Sequence, residues 1–290
     1  LMSENTLPTV LEEIVAQRRT HLPALRERLS HVDLARVPRS ERSLADALRG
    51  TNRFIMECKS ASPSLGMIRE DYRPGDIARI YSRYASAISV LCEPNRFGGD
   101  YDHLQTVALS THVPVLCKDF IVDPIQVYAA RYYGADAILL MMSIVDDDTY
   151  GELKALADEL SLDVLTEAIT EDEVDRAVNF GVDIIGINNR NLKTFEVSFD
   201  TAIRLGAGIP SDRIAHSMLK TAFVAARDRQ RLSEIATILI GFGVIGVANV
   251  ATERQAEQFA AEMILKPGAD DLFAVVKIFR TDESDHGIDQ

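Results

Sequence analysis

The stretch Val115–Phe120, VLCKDF, decides the fold. Val115, Leu116 and Cys117 are apolar without alternation, the pattern of a central parallel strand covered on both faces. Lys118 takes the last strand position, and Asp119 and Phe120 lead on to Asp123-Pro124, a pair that starts helices. A lysine is costly to bury inside a barrel, but at the carboxyl end of a barrel strand it points into the pocket where chemistry is done. A single lysine at a strand end can equally snorkel to solvent. The other strand ends decide between the two.

Working outward, strand-like runs end at Lys59 (FIMECK), Leu91 (AISVL), Lys118, Met142 (AILLMM), Glu167 (DVLTE), Asn188 (IIGIN), Ser217 (RIAHS) and Gly241 (TILIG). Helical patterns fill the gaps, among them Asp76–Tyr84, Pro124–Tyr133, Asp148–Leu160, Glu171–Phe180 and Thr221–Ile235. Eight strands alternating with helices over about 200 residues predict a (β/α)8 TIM barrel of the α/β class. A doubly wound open sheet seldom needs eight such units, and no glycine-rich dinucleotide fingerprint follows the first strand.

Ahead of the barrel, Val10, Leu11, Ile14 and Val15, then Leu22, Leu25 and Leu29, recur at helical spacing between charges. Residues 1–50 therefore read as a helical extension, with Leu1–Thr6 disordered and Ser43–Leu48 a second short helix. Residues 51–268 read as the barrel and 269–290 as a tail, loosely held because Thr281–Gln290 is a charged run.

Composition narrows the function. The chain of 290 residues is 47% hydrophobic and carries 31 Lys+Arg against 44 Asp+Glu, a net charge of −13. That balance disfavours a nucleic-acid or anionic-membrane partner and favours an enzyme whose site has its own local positive charge. Cys58, Cys92 and Cys117 fall in or just after predicted strands without metal-ligand spacing, which suits reduced, packed thiols in the cytoplasm. No run reaches the length of a membrane span, and the N-terminus lacks a signal-peptide layout.

Strand ends of a barrel converge on one pocket. Glu57 and Lys59 are two apart and share a face, Lys118, Glu167 and Asn188 end their strands, and Arg190 follows two residues later. Any one of these fits a structural ion pair. Six together fit proton transfer on an anionic organic substrate, with a lysine as acid and a glutamate as base. Zinc geometry, a P-loop and a nucleophile elbow are all missing from the sequence, so neither metal nor cofactor is expected.

With those residues in view, the chain resembles the indole-3-glycerol phosphate synthase family from about Leu7 to about Glu253. The resemblance rests on ECKSASPSLGMIR (Glu57–Arg69), VLCKDFIVDP (Val115–Pro124), LTEA (Leu165–Ala168) and GINNRNL (Gly186–Leu192). It implies closure of a carboxyphenylamino-deoxyribulose phosphate to an indole, with loss of carbon dioxide and water. It implies Lys118 as the acid on the ketone oxygen, Glu167 as the catalytic glutamate, and Lys59, Glu57 and Asn188 as assistants. Arg190 corresponds to a supporting arginine, and Ser62 and Pro63 to a loop that closes over substrate. The implied partners are a small phosphorylated substrate and other tryptophan-pathway enzymes.

The sequence departs from the family at one corner. The family's Glu-Ser-Gly at the end of strand seven is His216, Ser217 and Met218 here, and Gly241 is followed by Phe242 where the family has serine. Strand-seven and strand-eight loops build a barrel's phosphate site from backbone N–H groups, so added bulk at Met218 and Phe242 matters. Three readings follow: a rearranged corner that still binds phosphate through Ser217, Gly241 and Gly243, a shifted substrate, or a non-catalytic relative kept for binding or assembly. Val275–Arg280, VVKIFR, resembles the opening strand of the isomerase often fused to this family. Phe279 and Arg280 stand where that strand has cysteine and glycine, and 290 residues leave no room for a second barrel, so no isomerase activity is expected.

Overall fold

The computed structural model describes residues 9–49, 53–62, 66–67, 71–83, 85–188, 204–218 and 276–280. The extension folds as α1 (Thr9–Thr20), α2 (Leu22–Arg28), a 3-10 turn at Leu34–Arg36 and α3 (Leu44–Leu48). Strand β1 (Phe54–Cys58) runs into a two-stranded ribbon, β2 (Ala61–Ser62) and β3 (Gly66–Met67). Then come α4 (Pro74–Tyr81), β4 (Ala87–Leu91), α5 (Pro94–Phe97), α6 (Tyr101–Ser110), β5 (Val115–Lys118), α7 (Pro124–Tyr132) and β6 (Ala137–Met141). The remainder is α8 (Asp147–Glu159), β7 (Asp163–Ala168), α9 (Glu171–Asn179), β8 (Ile184–Asn188), β9 (Ile214–Met218) and β10 (Val276–Arg280).

Eight strands close into a barrel in the order β1-β10-β9-β8-β7-β6-β5-β4. Seven run parallel, as the alternating pattern predicts, and β4, β6 and β8 are buried at every position because helices cover the side away from the lumen. The eighth place differs from expectation. The run 237–241 lies outside the described residues, and β10, within the segment read as a loose tail, pairs antiparallel with both β1 and β9. Its register, Met56 with Val276 and Ala215 with Arg280, brings it in at the mouth and takes it out at the base.

Helix starts fix the loops at the mouth. Asp123 accepts from the Ile125 amide at 2.9 Å with Pro124 in the first turn of α7, Asp146 accepts from the Thr149 amide at 2.9 Å, and on α9 Thr170 accepts from the Glu173 amide while the Glu173 carboxylate accepts from the Ile169 amide. Glu93 caps α5 through the amides of Asn95, Arg96 and Phe97, and Gly98 ends it at φ 60°. Gly99 then lies against β4, where a Cβ would sit 2.4 Å from the Leu91 carbonyl oxygen. Only glycine permits that approach.

At the base, the extension docks on two aspartates. Asp136, just before β6, accepts from the Val115 amide at 2.9 Å, Ser40 Oγ at 2.8 Å and Arg42 Nη2 at 2.8 Å, with Arg131 Nη1 at 3.4 Å. Burial pulls the Arg131 guanidinium below its ordinary pKa, with Asp136 opposing. Asp163, at the start of β7, accepts from Ser43 Oγ at 2.8 Å and the Ala45 amide at 2.9 Å, which seats Leu44 and Leu48 fully buried under the barrel. Asp136→Ala would remove the carboxylate that faces both arginines, leaving them only backbone carbonyls, and leave the Val115 amide without this acceptor. We expect a loss of about 3 kcal/mol of unfolding free energy, the cost of breaking a buried pair from one side. Urea denaturation checks this, and a loss under about 1 kcal/mol would place the weight of the base elsewhere.

Candidate active site

Residues paired across parallel strands point the same way, so the register alone decides which side chains share the lumen. Glu57 pairs with Ser89 and Ser89 with Leu116, and Leu116 pairs with Ala137. Four residues on, Met141 pairs with Glu167, and Glu167 pairs with Gly186. Stepping two residues along a strand keeps the face, so Lys118 joins Leu116 and Asn188 joins Gly186. Glu57, Lys118, Glu167 and Asn188 therefore face one side of the closed sheet near the carboxyl ends of its strands.

These residues form two clusters. Glu57, 4% exposed, accepts from Lys59 Nζ at 3.2 Å through Oε1 and from Lys118 Nζ through Oε2. The side chains of Lys59 and Lys118 are themselves 16% and 12% exposed, so two ammonium groups and one carboxylate share a mostly desolvated space. In the second cluster, the Asn188 amide donates to Glu167 Oε1 at 2.9 Å, with both residues 3% exposed. The amide fixes the carboxylate's orientation and leaves Oε2 for other partners. Behind it lies Glu173, whose carboxyl is held above its ordinary pKa by burial, with the charge of Glu167 adding to the shift.

The expected lysine and glutamate are thus both at the mouth, but Lys118 is tied to Glu57 and Glu167 to Asn188. Ser62 lies in the ribbon after β1, its backbone paired with Gly66. His216, Ser217 and Met218 are in β9, in register with Gly186, Ile187 and Asn188. Pro63, Arg190, Gly241 and Phe242 lie outside the described residues.

Several residues at the mouth had no place in the sequence reading. Phe97 and Phe120, both half-buried, bring their rings to 6.2 Å between centroids at 35°. Ser89 is fully buried, and its Oγ has no hydrogen-bond partner among the described residues. Asp119, next to Lys118, is buried against Arg18 of α1. Arg18 could have been found, since it sits on the apolar stripe of α1, seven residues after Leu11. Ser89 could not, because a serine within a strand carries no signal of its own.

Among the described residues no group of three or more His, Cys, Asp or Glu side chains could hold a metal ion, and no helix is long and apolar enough to cross a membrane. Residues 11–256 match the family described as Indole-3-glycerol phosphate synthase. This chain belongs to the indole-3-glycerol phosphate synthase family. The resemblance carried by the four strand-end motifs is borne out by that match. The Tryptophan biosynthesis protein TrpCF of Corynebacterium glutamicum is 62% identical over 216 residues, 73% of this chain and 46% of that protein. The proteins of the same name from Salmonella typhi and Vibrio cholerae are 44% and 45% identical, over 70% and 73% of this chain and 46% and 45% of theirs. The chain spans about half the length of the curated relatives it matches. A solved 3-keto-L-gulonate-6-phosphate decarboxylase from Vibrio cholerae aligns at 15% identity with a TM-score of 0.44, over 58% of this chain and 78% of that one. The barrel of this family member rests on its strand pairing and not on that likeness.

The two-lysine cluster makes a testable demand. Glu57→Gln keeps the volume and removes the anion between two ammonium groups. A lysine without its carboxylate gives up its proton more readily, so the alkaline limb of any Lys118-dependent rate should move to lower pH. The maximum rate should fall by about 10²-fold, the scale of a misplaced acid. A profile superimposable on the parent's would remove Glu57 from the machinery.

Proposed function

We propose that this chain converts 1-(2-carboxyphenylamino)-1-deoxyribulose 5-phosphate into indole-3-glycerol phosphate, releasing carbon dioxide and water. The observation that carries the reading is the pair of buried clusters at the mouth, one with two lysines on a carboxylate and one with an oriented carboxylate, in a chain of this family.

In the first step the ring carbon bearing the carboxylate attacks the ketone carbon. The carbonyl π electrons go to oxygen, which takes a proton from the Lys118 ammonium. The carbon–carboxylate bond then breaks, carbon dioxide leaves, and the electron pair restores the aromatic ring. In the last step the new hydroxyl leaves as water after protonation. The proton lost from the chain carbon beside nitrogen goes to Glu167, and the double bond that forms completes the indole. One carbon dioxide and one water leave; two protons are taken up and one is released, and the net proton, which solvent supplies, offsets the carboxylate charge lost with carbon dioxide.

The geometry suits these roles. Glu57 keeps both lysines in hydrogen-bond reach of one point, so Lys59 can supply the second proton or hold the departing oxygen while Lys118 is spent. Phe97 and Phe120 offer an apolar wall for the aryl half of the substrate. A net charge of −13 would repel an anionic substrate, and the two ammonium groups at the mouth offset this locally. No step calls for a metal or cofactor. The small phosphorylated substrate, a cytoplasmic setting and association with other enzymes of tryptophan synthesis belong to the same proposal.

A direct assay for indole-3-glycerol phosphate tests it. Lys118→Ala should lower the rate by at least about 10²-fold with the fold retained, and Glu167→Gln nearly as much. Turnover by Lys118→Ala within a few-fold of the parent would end its role as the acid.

A second reading is favoured by His216, Ser217 and Met218 and by Phe242 after Gly241: a catalytically impaired or substrate-shifted relative that serves in binding or assembly. Under the main reading the altered corner should cost mostly KM, because backbone donors tolerate side-chain changes but not blockage. Met218→Gly with Phe242→Ser should then lower KM more than it raises kcat. A parent that does not turn over this substrate at all would favour the second reading.

A further inference from the structure

The residue beside the acid is gripped from outside the barrel. Lys118 and Asp119 are neighbours at the end of β5, so their side chains leave the strand in opposite directions, Lys118 into the lumen and Asp119 toward α1. The Asp119 carboxylate is closed off from solvent, and each oxygen is saturated. Oδ1 accepts from Arg18 Nε at 2.9 Å and the Phe120 amide at 2.9 Å. Oδ2 accepts from Arg18 Nη2 at 2.6 Å, Arg18 Nε at 3.1 Å, Tyr101 Oη at 2.9 Å and Gln126 Nε2 at 3.3 Å.

Gln126 carries the grip along the loop, donating to the Phe120 carbonyl at 2.9 Å and accepting from the Val122 amide at 2.9 Å. On the other side, the Lys118 carbonyl accepts from the Cys92 amide at 3.0 Å. The backbone is therefore fastened on both sides of Lys118. Burial works against the Arg18 charge, yet the Asp119 carboxylate outweighs it and keeps the guanidinium above its ordinary pKa. This cation stays on at every accessible pH.

We propose that Arg18 is a positioning residue for the reaction: through its two-pronged bond to Asp119 it fixes the Lys118 backbone so that the ammonium stays on Glu57 and in line with the substrate oxygen. The inference rests on the reading of Lys118 as the proton donor. A lysine stem has four rotatable carbons, so only a fixed starting point confines its tip, and a displacement of about 1 Å at a reacting group can cost about 10²-fold in rate. The helical extension thus belongs to the active site without touching the substrate.

Two variants of the full chain test this. Arg18→Lys keeps the charge but cannot make two parallel bonds to one carboxylate. Arg18→Met with Asp119→Asn removes both charges at similar volume and leaves no buried ion unpaired. Each is measured for kcat and KM on the carboxyphenylamino substrate. Each is also measured for acetylation of Lys118 by trace acetic anhydride, read by mass spectrometry against Lys154 well below the melting temperature.

We expect kcat to fall by about tenfold or more with KM within about threefold, and Lys118 labelling to rise by about fivefold or more while Lys154 is unchanged. A purely structural anchor would lower the melting temperature and leave both readouts alone. Labelling and kcat within twofold of the parent in a folded variant would overturn the proposal, and Arg18→Lys alone decides it if the double variant does not fold. A parent without turnover would sink the proposed reaction, while the labelling would still decide whether Arg18 holds Lys118.

Discussion

Two ammonium groups lean on one buried carboxylate, and the mouth of this barrel is arranged around that cluster. At about 4 Å and an effective dielectric of about 20, each ion pair gains about 4 kcal/mol. Desolvation costs several kcal/mol for each ion, so Lys59, Glu57 and Lys118 do little to stabilise the fold. What the cluster retains is ammonium charge gathered in a place with little water to screen it. Such a charge is a poor structural device and a useful chemical one. An anionic reactant can neutralise it, and a developing alkoxide can take its proton.

Holding that arrangement needs a rigid frame, and the barrel separates the duties by face. At the base, Asp136 and Asp163 take amides, hydroxyls and arginines from the extension and from neighbouring loops, which spends them on holding the frame. At the mouth, the same residue types sit where helices begin. Asp100, Asp123, Asp146 and Thr170 cap α6, α7, α8 and α9, which shortens the loops and directs their backbone. Polar residues spent on caps cannot wander into the lumen, and among the described residues Glu57, Lys59, Lys118, Glu167 and Asn188 gather at the mouth.

The strand ends were legible for a physical reason. A strand covered on both sides is an unbroken apolar run, so a charged residue at its close stands out, and Lys118, Glu167 and Asn188 did. Which of them touch was not legible, because that depends on register, and a one-residue slip exchanges the two faces. Strand-like periodicity is likewise the same in either direction along the chain. The segment at Val276–Arg280 could be read as a strand from VVKIFR, but its antiparallel entry between β1 and β9 could not. Arg18 left a visible mark, a charge on an apolar helical stripe. Its partner lies 101 residues away, and no local pattern connects them.

The choice of partners for Arg18 carries the last step. A pair of apolar side chains could join α1 to the end of β5 as firmly, since replacing a buried ion pair by well-packed apolar residues is often neutral or stabilising. Apolar contact, however, has no direction. A guanidinium fork on a carboxylate fixes both distance and plane, and here Tyr101 and Gln126 lock the same carboxylate from two further sides. Directionality is worth its desolvation cost only where a neighbouring atom must be placed to within a fraction of an ångström. The residue after the proton donor is such a place. The extension is fastened at the base through Ser40, Arg42 and Ser43 and at the mouth through Arg18, so it spans the barrel from end to end. Loosening it at the mouth would leave the strands paired while freeing the one backbone segment on which the acid depends.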